Sequence, residues 1–424
     1  MSQNRQGGGP KPVSTAATAV GLFLLALNLR PAIGSVSPVL DNIQQSLHLS
    51  DSAVSLLTTL PVLCLGIFAA ATPAISRRIG TAGALVLGFV ALIAGILIRM
   101  DTSVWAMFVG TALAGAGLAL GNVLMPAVVR STFPDRVRLY TGIATAFLSA
   151  GAALSAGIAV PLKNAVGGWS GSLALWTIPA AIGLLAWLPL LRRTPRPQPA
   201  APTSAQPAQA KGSLLGDAVA WQVTGYLALR ALAYFTALGW LPTVLVDLGG
   251  YSSSASGALL SLTMVLSVPG ALFAPVLAGR RGTGPVITAI AVTGAVSLLG
   301  LLSAPGVAAL WVALLGITLG AGHAMALTLI AVRSPNPETT ARLSGMVQTI
   351  GYLVGGIVGP LLLGVLHGAT KGWTVSLVLL AAFTLPELVL GLLASRKRFV
   401  RPRVRVTGAQ GATTTAPQPA LIDD

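Results

Sequence analysis

Long apolar runs dominate this chain and decide what it can fold into. Stretches of about 20 residues with almost no charge span the hydrocarbon core of a bilayer as helices. Only 8% of the residues are charged, far below an ordinary soluble domain. We therefore predict an all-α membrane protein. Its twelve predicted transmembrane helices lie at 16–40, 53–75, 82–99, 104–129, 139–161, 172–191, 218–246, 255–278, 285–303, 306–332, 342–366 and 373–394. The first run lacks a small-residue cleavage site, so a retained helix is expected rather than a signal peptide.

The basic residues between these runs predict the orientation. With the N-terminus placed inside, 21 Lys and Arg fall on the inner side and 3 on the outer side. The positive-inside rule then puts both termini in the cytoplasm of a protein of the inner membrane. The net charge of +16 is thus explained by topology and by contact with the lipid bilayer, and no nucleic-acid partner is expected.

A Pro- and Ala-rich segment divides the chain into halves. Its composition is typical of a flexible linker with nothing to build a core from. The predicted organisation is an N-terminal cytoplasmic tail (1–15), a six-helix bundle (16–191), a cytoplasmic linker (192–217), a second six-helix bundle (218–394) and a disordered cytoplasmic tail (395–424).

The two halves repeat each other. Pro73–Thr81 matches Pro275–Thr283 at an offset of 202, and Leu27–Arg30 matches Leu227–Arg230 at an offset of 200. A third match joins Arg130–Asp135 to Arg333–Glu338 at an offset of 203. These matches predict two parallel, pseudo-symmetric bundles with a binding site between them, near the membrane midplane.

This organisation resembles the major facilitator superfamily. Arg78 and Gly80 fit the superfamily's loop pattern after the second helix, although Arg77 stands where that pattern has an acidic residue. A more specific similarity, to the cyanate/2-nitroimidazole porter branch, is carried by motifs in both halves: Asn28-Leu-Arg-Pro31, Gly117-Leu-Ala-Leu-Gly-Asn122, Trp240-Leu-Pro242 and Gln348-Thr-Ile-Gly-Tyr352. The resemblance implies a monomeric transporter that works by alternating access. It also implies that the first, fourth, seventh and tenth helices line the cavity.

Arg30 and Arg230 are the main candidates for binding a solute. A charged side chain at membrane depth is costly and marks a protein interior or a wet cavity. No Asp or Glu shares either apolar run, so both guanidinium groups are expected to lack an intramembrane partner and to bind an anionic or polar planar solute. Pro31 is expected to kink the helix beside Arg30. The alternatives are contacts to backbone carbonyls for Arg30 and an ion pair with Asp217 for Arg230.

Further polar residues are expected to complete the cavity. They share a position inside apolar runs: Asn28, Asn122, Tyr234, His323, Gln348 and Tyr352. Gln348 and Tyr352 are four residues apart and so share one helix face. For Asn28 the alternative is a hydrogen bond between helices, and for His323 it is a neutral imidazole bonded across helices. Gating or structural roles are expected for Pro31, Arg78, Gly80, Arg280, Gly355 and Gly359.

Energy coupling has one candidate group. His323 is the proposed proton carrier, because histidine titrates near physiological pH; the alternative is that an anionic solute carries its own proton. Glu387 is the only carboxylate well inside a run, but it lies on the twelfth helix, which is expected to be peripheral, so no Asp or Glu is expected to provide a proton site. No phosphate-binding motif, catalytic constellation or metal-ligand cluster is present in the sequence, so neither an enzyme nor a cofactor is expected. The predicted function is secondary transport of a cyanate-like or nitroimidazole-like solute, with multidrug efflux as the alternative.

Overall fold

The computed structural model describes residues 15–193 and 213–401, and these residues are almost entirely helical. The first half contains α1 (Thr15–Asn28), α2 (Pro31–Gly34), α3 (Leu40–Leu47), α4 (Asp51–Ile98), α5 (Val104–Thr132), α6 (Val137–Val166), α7 (Trp169–Ala174) and α8 (Thr177–Arg193). The second half contains α9 (Ala218–Gly249), α10 (Ser253–Arg281), α11 (Thr283–Ser303), α12 (Ala308–Val332), α13 (Pro337–Ile350), a π-helical segment (Gly351–Gly355), α14 (Gly356–Thr370) and α15 (Thr374–Ser395).

Polar side chains fix where several of these helices begin. Ser50, Ser103 and Ser252 each accept a hydrogen bond from the backbone N–H three residues on, at the start of α4, α5 and α10. Asp217 does the same for α9 and Asn336 for α13. Such caps satisfy a backbone donor that has no partner within the helix.

Eleven helical segments of the described residues are long and apolar enough to cross a membrane. One of them, Ser52–Ile98, has 47 residues, about twice the length that a crossing needs. Its backbone leaves helical geometry at Gly80, with φ 77° and ψ 162°, so it makes two crossings. The fold therefore has the twelve predicted spans.

The backbone repeats this break in the second half. Gly282, which joins α10 to α11, has φ 90° and ψ 152°. It lies 202 residues after Gly80, the offset of the sequence repeat. Both positions have a positive φ, which glycine adopts without steric cost. The pseudo-symmetry predicted from short motifs is thus present in the chain path.

Glycines allow the helices of each half to pack at backbone contact. A Cβ at Gly117 of α5 would collide with the carbonyl oxygen of Gly88 in α4. In the second half, a Cβ at Gly320 of α12 would collide with the carbonyl oxygen of Ser267 in α10. Close approach of this kind drives helix association in lipid, where apolar side chains gain little from leaving the solvent.

The two halves meet tightly near the side that carries the ends of the chain, here called the terminal side. A Cβ at Gly142, early in α6, would lie 2.8 Å from the carbonyl oxygen of Leu272 in α10. A Cβ at Gly345 in α13 would lie 2.9 Å from the Pro73 ring in α4. On this side the two halves are therefore in direct contact.

The predicted linker and tail are shorter than expected, because their inner ends pack onto the second half. The Val400 amide donates to the Arg333 carbonyl at 2.9 Å, and the Arg401 amide donates to Asp217 Oδ2 at 2.9 Å. Leu214 and Val400 are buried in the core. Residues 213–217 and 396–401 therefore extend the second bundle. The remaining predictions for the tails and the linker concern residues 1–14, 194–212 and 402–424, which lie outside the described residues.

Candidate functional site

The helix that carries Arg30 is interrupted at that residue. α1 ends at Asn28 and α2 begins at Pro31, with Arg30 between them at φ −120° and ψ −30°. Proline supplies no backbone N–H and disfavours helical geometry in the residue before it. The predicted kink is confirmed.

Arg30 is covered by residues of the second half. Only 8% of its surface is exposed, and its guanidinium carbon lies 5.5 Å from the centre of the Tyr234 ring on α9. A cation in this position is attracted to the negative face of the ring. Arg30 forms no salt bridge with any residue that the structure describes, and its Nε has no hydrogen-bond partner there.

Two more polar groups adjoin Arg30. Tyr352 of the π-helical segment lies beside the guanidinium, but its buried hydroxyl makes no hydrogen bond of good geometry. His323 of α12 lies within electrostatic range of both Arg30 and Arg230, and its buried Nε2 also lacks a hydrogen-bond partner. We call Arg30, Tyr234, His323 and Tyr352 the central cluster.

The central cluster contains more hydrogen-bonding capacity than the protein itself satisfies. Most buried polar atoms in proteins are paired, and each unpaired one costs about 1–3 kcal/mol. Here the unpaired atoms are Arg30 Nε, His323 Nε2 and the Tyr352 hydroxyl, and they lie around the positive charge of Arg30. A planar solute with acceptor oxygens would provide the missing partners.

Phe235 holds the two tyrosines of the central cluster in place. Its ring meets Tyr234 edge-on at a centroid distance of 5.2 Å and Tyr352 at 6.2 Å. Edge-to-face contacts at such distances are favourable for aromatic pairs. Phe235 was not among the predicted site residues, because a lone Phe in an apolar helix gives no signal in the sequence.

Gln348 and Asn122 join the two halves. Gln348 Nε2 donates to the backbone carbonyl of Asn122 in α5 and to the Ser344 hydroxyl, both at 2.9 Å. The Asn122 side chain donates to the Leu118 carbonyl in its own helix at 3.1 Å. Both donors of the Gln348 amide are thus already used. Gln348 therefore bridges the halves, and the expected amide-plus-phenol wall for the solute stays a prediction.

Asn28 braces the interrupted helix. Its side-chain amide donates to the Leu24 carbonyl at 2.8 Å and to the Pro179 carbonyl of α8 at 3.0 Å. These bonds lie within the first half. The alternative noted for Asn28, a hydrogen bond between helices, is the arrangement that the structure has.

Arg230 is paired, which corrects the expectation that neither arginine has an intramembrane partner. Its Nη2 lies 2.7 Å from Glu387 Oε2, and its Nη1 donates to the Thr318 carbonyl at 3.1 Å. α15 was expected to be peripheral, yet Glu387 is only 2% exposed. Asp217 caps α9 instead. It precedes Arg230 by thirteen residues, about 20 Å along a helix, and is too distant to pair with it.

The predicted gating residues fall into two groups. Gly355 and Gly359 pack against α9, where a Cβ at Gly355 would collide with the Ala228 carbonyl and one at Gly359 would lie 2.6 Å from Thr236 Oγ1. Arg78 and Arg280 are exposed on the terminal side. A gating role for these two arginines stays a prediction.

Comparison with known proteins identifies the family of this fold. The family model described as Major Facilitator Superfamily matches residues 18–356. The chain is 34% identical to the uncharacterized transporter YycB of Bacillus subtilis (strain 168), over 92% of this chain and 96% of that protein. It is also 34% identical to the 2-nitroimidazole transporter of Escherichia coli (strain K12), over 90% of this chain and 96% of the relative.

A third relative and a solved structure agree with these matches. The cyanate transport protein CynX of Escherichia coli (strain K12) is 27% identical over 83% of this chain and 90% of its own length. The crystal structure of the E. coli fucose:proton symporter has a TM-score of 0.72 at 16% identity, covering 91% of this chain and 100% of that one. The chain is therefore a membrane transporter that belongs to the major facilitator superfamily, in the branch that includes the 2-nitroimidazole and cyanate transporters.

Proposed function

We propose that this transporter carries a small planar anion, or a planar solute with an electron-rich group such as a nitro group, by alternating access. We further propose that it works as a monomer in the inner membrane with both termini in the cytoplasm. The 21-to-3 distribution of Lys and Arg supports this orientation.

The observation that carries the substrate class is the state of Arg30. It is a buried cation without a carboxylate among the described residues, and it lies beside unpartnered atoms of His323 and Tyr352. An anion would neutralise the guanidinium and accept its hydrogen bonds, and charge-assisted bonds of this kind are the strong ones. A cation would be repelled, since a like charge at 4 Å costs roughly 4 kcal/mol at an effective dielectric of 20.

Each member of the central cluster has a distinct proposed role. Arg30 donates to the acceptor group of the solute, and the Tyr234 and Tyr352 rings provide flat apolar walls. The Tyr352 hydroxyl and His323 Nε2 provide further polar contacts. His323 lies within range of two guanidinium groups, which would both repel an imidazolium, so we propose that it binds solute in its neutral form.

The named substrates of two relatives fit this chemistry. 2-Nitroimidazole carries a planar nitro group, and cyanate is a small anion. Their common features are small size, delocalised electrons and acceptor atoms without a cationic group. Benzoate, a planar carboxylate, combines these features and is a suitable third probe.

The first experiment measures solute binding to the purified protein through its thermal unfolding. Benzoate, cyanate and 2-nitroimidazole are compared with tetraphenylphosphonium, because a solute that binds the folded state raises the unfolding temperature. Arg30→Ala should weaken binding of the stabilising solute about 10- to 100-fold, the equivalent of one lost charge-assisted hydrogen bond. Arg30→Lys should recover only part of it, since an ammonium lacks the planar fork.

The matched control is Arg136→Ala, which removes an exposed arginine outside the central cluster. It should bind the solute as the unmodified protein does. Uptake of the same solute into proteoliposomes should follow the binding data. Unchanged binding by Arg30→Ala would overturn the site, and stabilisation by tetraphenylphosphonium alone would favour the efflux alternative.

A further inference from the structure

The ion pair in the second half lies within a single bundle and is incompletely satisfied. Arg230 and Glu387 meet through one contact of 2.7 Å, with 5% and 2% of their surfaces exposed. The second carboxylate oxygen, Oε1, has no hydrogen-bond partner among the described residues, and neither has Arg230 Nε. The neighbouring Tyr226 hydroxyl is also buried without a partner. A carboxylate that is fixed only for structure would be expected to use both oxygens.

A cavity of about 40 Å³ adjoins this ion pair. Arg230, Glu387 and Thr236 line it, and the Thr236 hydroxyl has no hydrogen-bond partner either. The volume is enough for one or two water molecules, and the unpaired atoms at this end provide the polar partners that a buried water needs.

The cavity points away from the terminal side. Its lining continues along α9 from Arg230 to Val244 and along α15 from Glu387 back to Leu377. Both series run toward the side opposite the chain ends, over about 15 Å or more of helix. Trp240, near the far end of the cavity, lies 5.5 Å from Trp373, whose indole N–H donates to Asp247 at 2.8 Å.

Few other titratable groups face Glu387. Helices α9, α11 and α14 pack against α15. α9 contributes Arg230 and Tyr226, and α11 contains no titratable side chain. α14 contributes only His367, which stacks on Trp373 at the far end. His323 of α12 belongs to the central cluster and lies within electrostatic range of Arg230. Asp247 of α9 lies at the far end of the cavity, where it accepts from Trp373. Glu387 is therefore the carboxylate at the end of the cavity nearest Arg230.

We infer that Glu387 is the proton-binding site of the transporter, reached through this cavity from the side opposite the termini, and that Arg230 links it to the central cluster. The inference rests on the proposed function for the sign of the solute. A proton from water adds to the Glu387 carboxylate, and the ion pair to Arg230 is lost. Arg230 keeps its bond to the Thr318 carbonyl, so its charge stays near His323.

Charge balance then couples the proton to an anion. Arg30, Arg230 and Glu387 together carry a charge of +1 when the carboxylate is ionised and +2 when it is protonated. The second state attracts an anion more strongly. By reciprocity, a bound anion favours protonation of Glu387 to the same extent. The solute and the proton therefore move together, and an electroneutral pair crosses the membrane when the solute carries one negative charge.

The first test needs no solute. Infrared pH titration of the purified protein should show a buried carboxyl group whose protonated signal grows as the pH falls. Glu387→Gln should remove this signal, whereas Asp41→Asn, which changes an exposed carboxylate, should keep it. A signal that is absent in the unmodified protein, or that survives in Glu387→Gln, overturns the proton site.

The second test measures linkage with benzoate, cyanate and 2-nitroimidazole as probes. For an anionic probe, affinity in the unmodified protein should fall by up to about tenfold per pH unit once the carboxylate ionises. Glu387→Gln resembles the protonated state, so it should bind at least as tightly and show no pH dependence. If Glu387→Gln does not fold, the double variant Arg230→Gln/Glu387→Gln removes both charges and should also lose the pH dependence.

The two proposals fail in different ways. If none of the probes binds, or if Arg30→Ala does not weaken binding, the proposed function is wrong. The infrared titration still tests whether Glu387 binds a proton. If binding requires Arg30 but keeps its pH dependence in Glu387→Gln, the substrate site stands and the coupling role of Glu387 is wrong.

Discussion

At the scale of single residues, the buried arginines within the described residues satisfy their charges in different ways. Arg99 donates from Nη1 to the Ala32 carbonyl at 2.8 Å, and burial lowers the pKa of Arg99 to about 10, so it remains cationic at neutral pH. Arg230 has a carboxylate partner. Arg30 has the face of the Tyr234 ring and the neighbouring Tyr352. A buried charge without an ionic partner is costly to keep. Arg99 also lacks a carboxylate, but it bonds a carbonyl of its own half, whereas Arg30 faces residues of the second half, and this is why we propose that a solute binds Arg30.

Asn28 and Arg30 should separate stability from binding. Asn28→Ala removes the hydrogen bonds of the side-chain amide to the Leu24 and Pro179 carbonyls, so it should destabilise the protein by about 0.5–1.5 kcal/mol. Binding of benzoate should change little, because the Asn28 amide is not in the central cluster. Arg30→Ala should weaken benzoate binding and change the stability of the protein little. Thermal unfolding with and without benzoate measures both quantities. A loss of affinity in Asn28→Ala without a loss of stability would mean that Asn28 contacts the solute after all.

The sequence predicted Arg30 better than Arg230, and the reason is physical. The break beside Arg30 depends on Pro31, an adjacent residue, and is therefore visible locally. The partner of Arg230 lies 157 residues further along the chain, and their contact depends on how α15 is rotated about its axis. The available signal was Glu387 itself: a carboxylate deep inside an apolar run needs a cation nearby.

At the scale of elements, the eleventh span contains an irregular segment beside the central cluster. α13 and α14 are joined by the π-helical segment Gly351–Gly355, which carries Tyr352. Such segments occur frequently at functional sites, because the wider turn re-aims a side chain. Gly355 closes the segment against the backbone of α9, which also carries Tyr234. The span thus positions one wall of the central cluster relative to another.

Two glycines of this span should respond in opposite ways to alanine. Gly355→Ala places a methyl group against the Ala228 carbonyl, so it should separate the helices and destabilise the protein by about 1–3 kcal/mol. Gly368→Ala meets no atom within 4 Å and should stabilise α14 by up to about 1 kcal/mol through helix propensity. Thermal unfolding compares the two directly. Equal effects at both positions would show that packing of the π-helical segment against α9 is unimportant.

At the scale of the whole molecule, the halves are joined on the terminal side, and both contribute residues to the central cluster. Apolar length and short repeated motifs were enough to predict the spans and the two bundles, because both are properties of local sequence. Contacts between the halves were not predictable in this way. The bond from Gln348 to the Asn122 carbonyl crosses 226 positions and pairs an amide with a backbone group, which has no signature in the sequence.

Alternating access requires the joint on the terminal side to open, and cross-linking tests that requirement. In a Cys64→Ser background, Arg138→Cys with Gly279→Cys would put thiols on α6 and α10, where a Cβ at Gly279 would lie 3.3 Å from Arg138 Cδ. A short cleavable thiol cross-linker should abolish benzoate uptake into proteoliposomes, and its cleavage should restore it. The control pair Gly284→Cys with Ser395→Cys lies on the same side but within the second half, where the corresponding distance to the Ser395 hydroxyl is 3.7 Å. Cross-linking that pair should leave uptake unchanged, because the halves move as units. Continued uptake with the α6–α10 cross-link in place would mean that transport does not depend on opening at this joint.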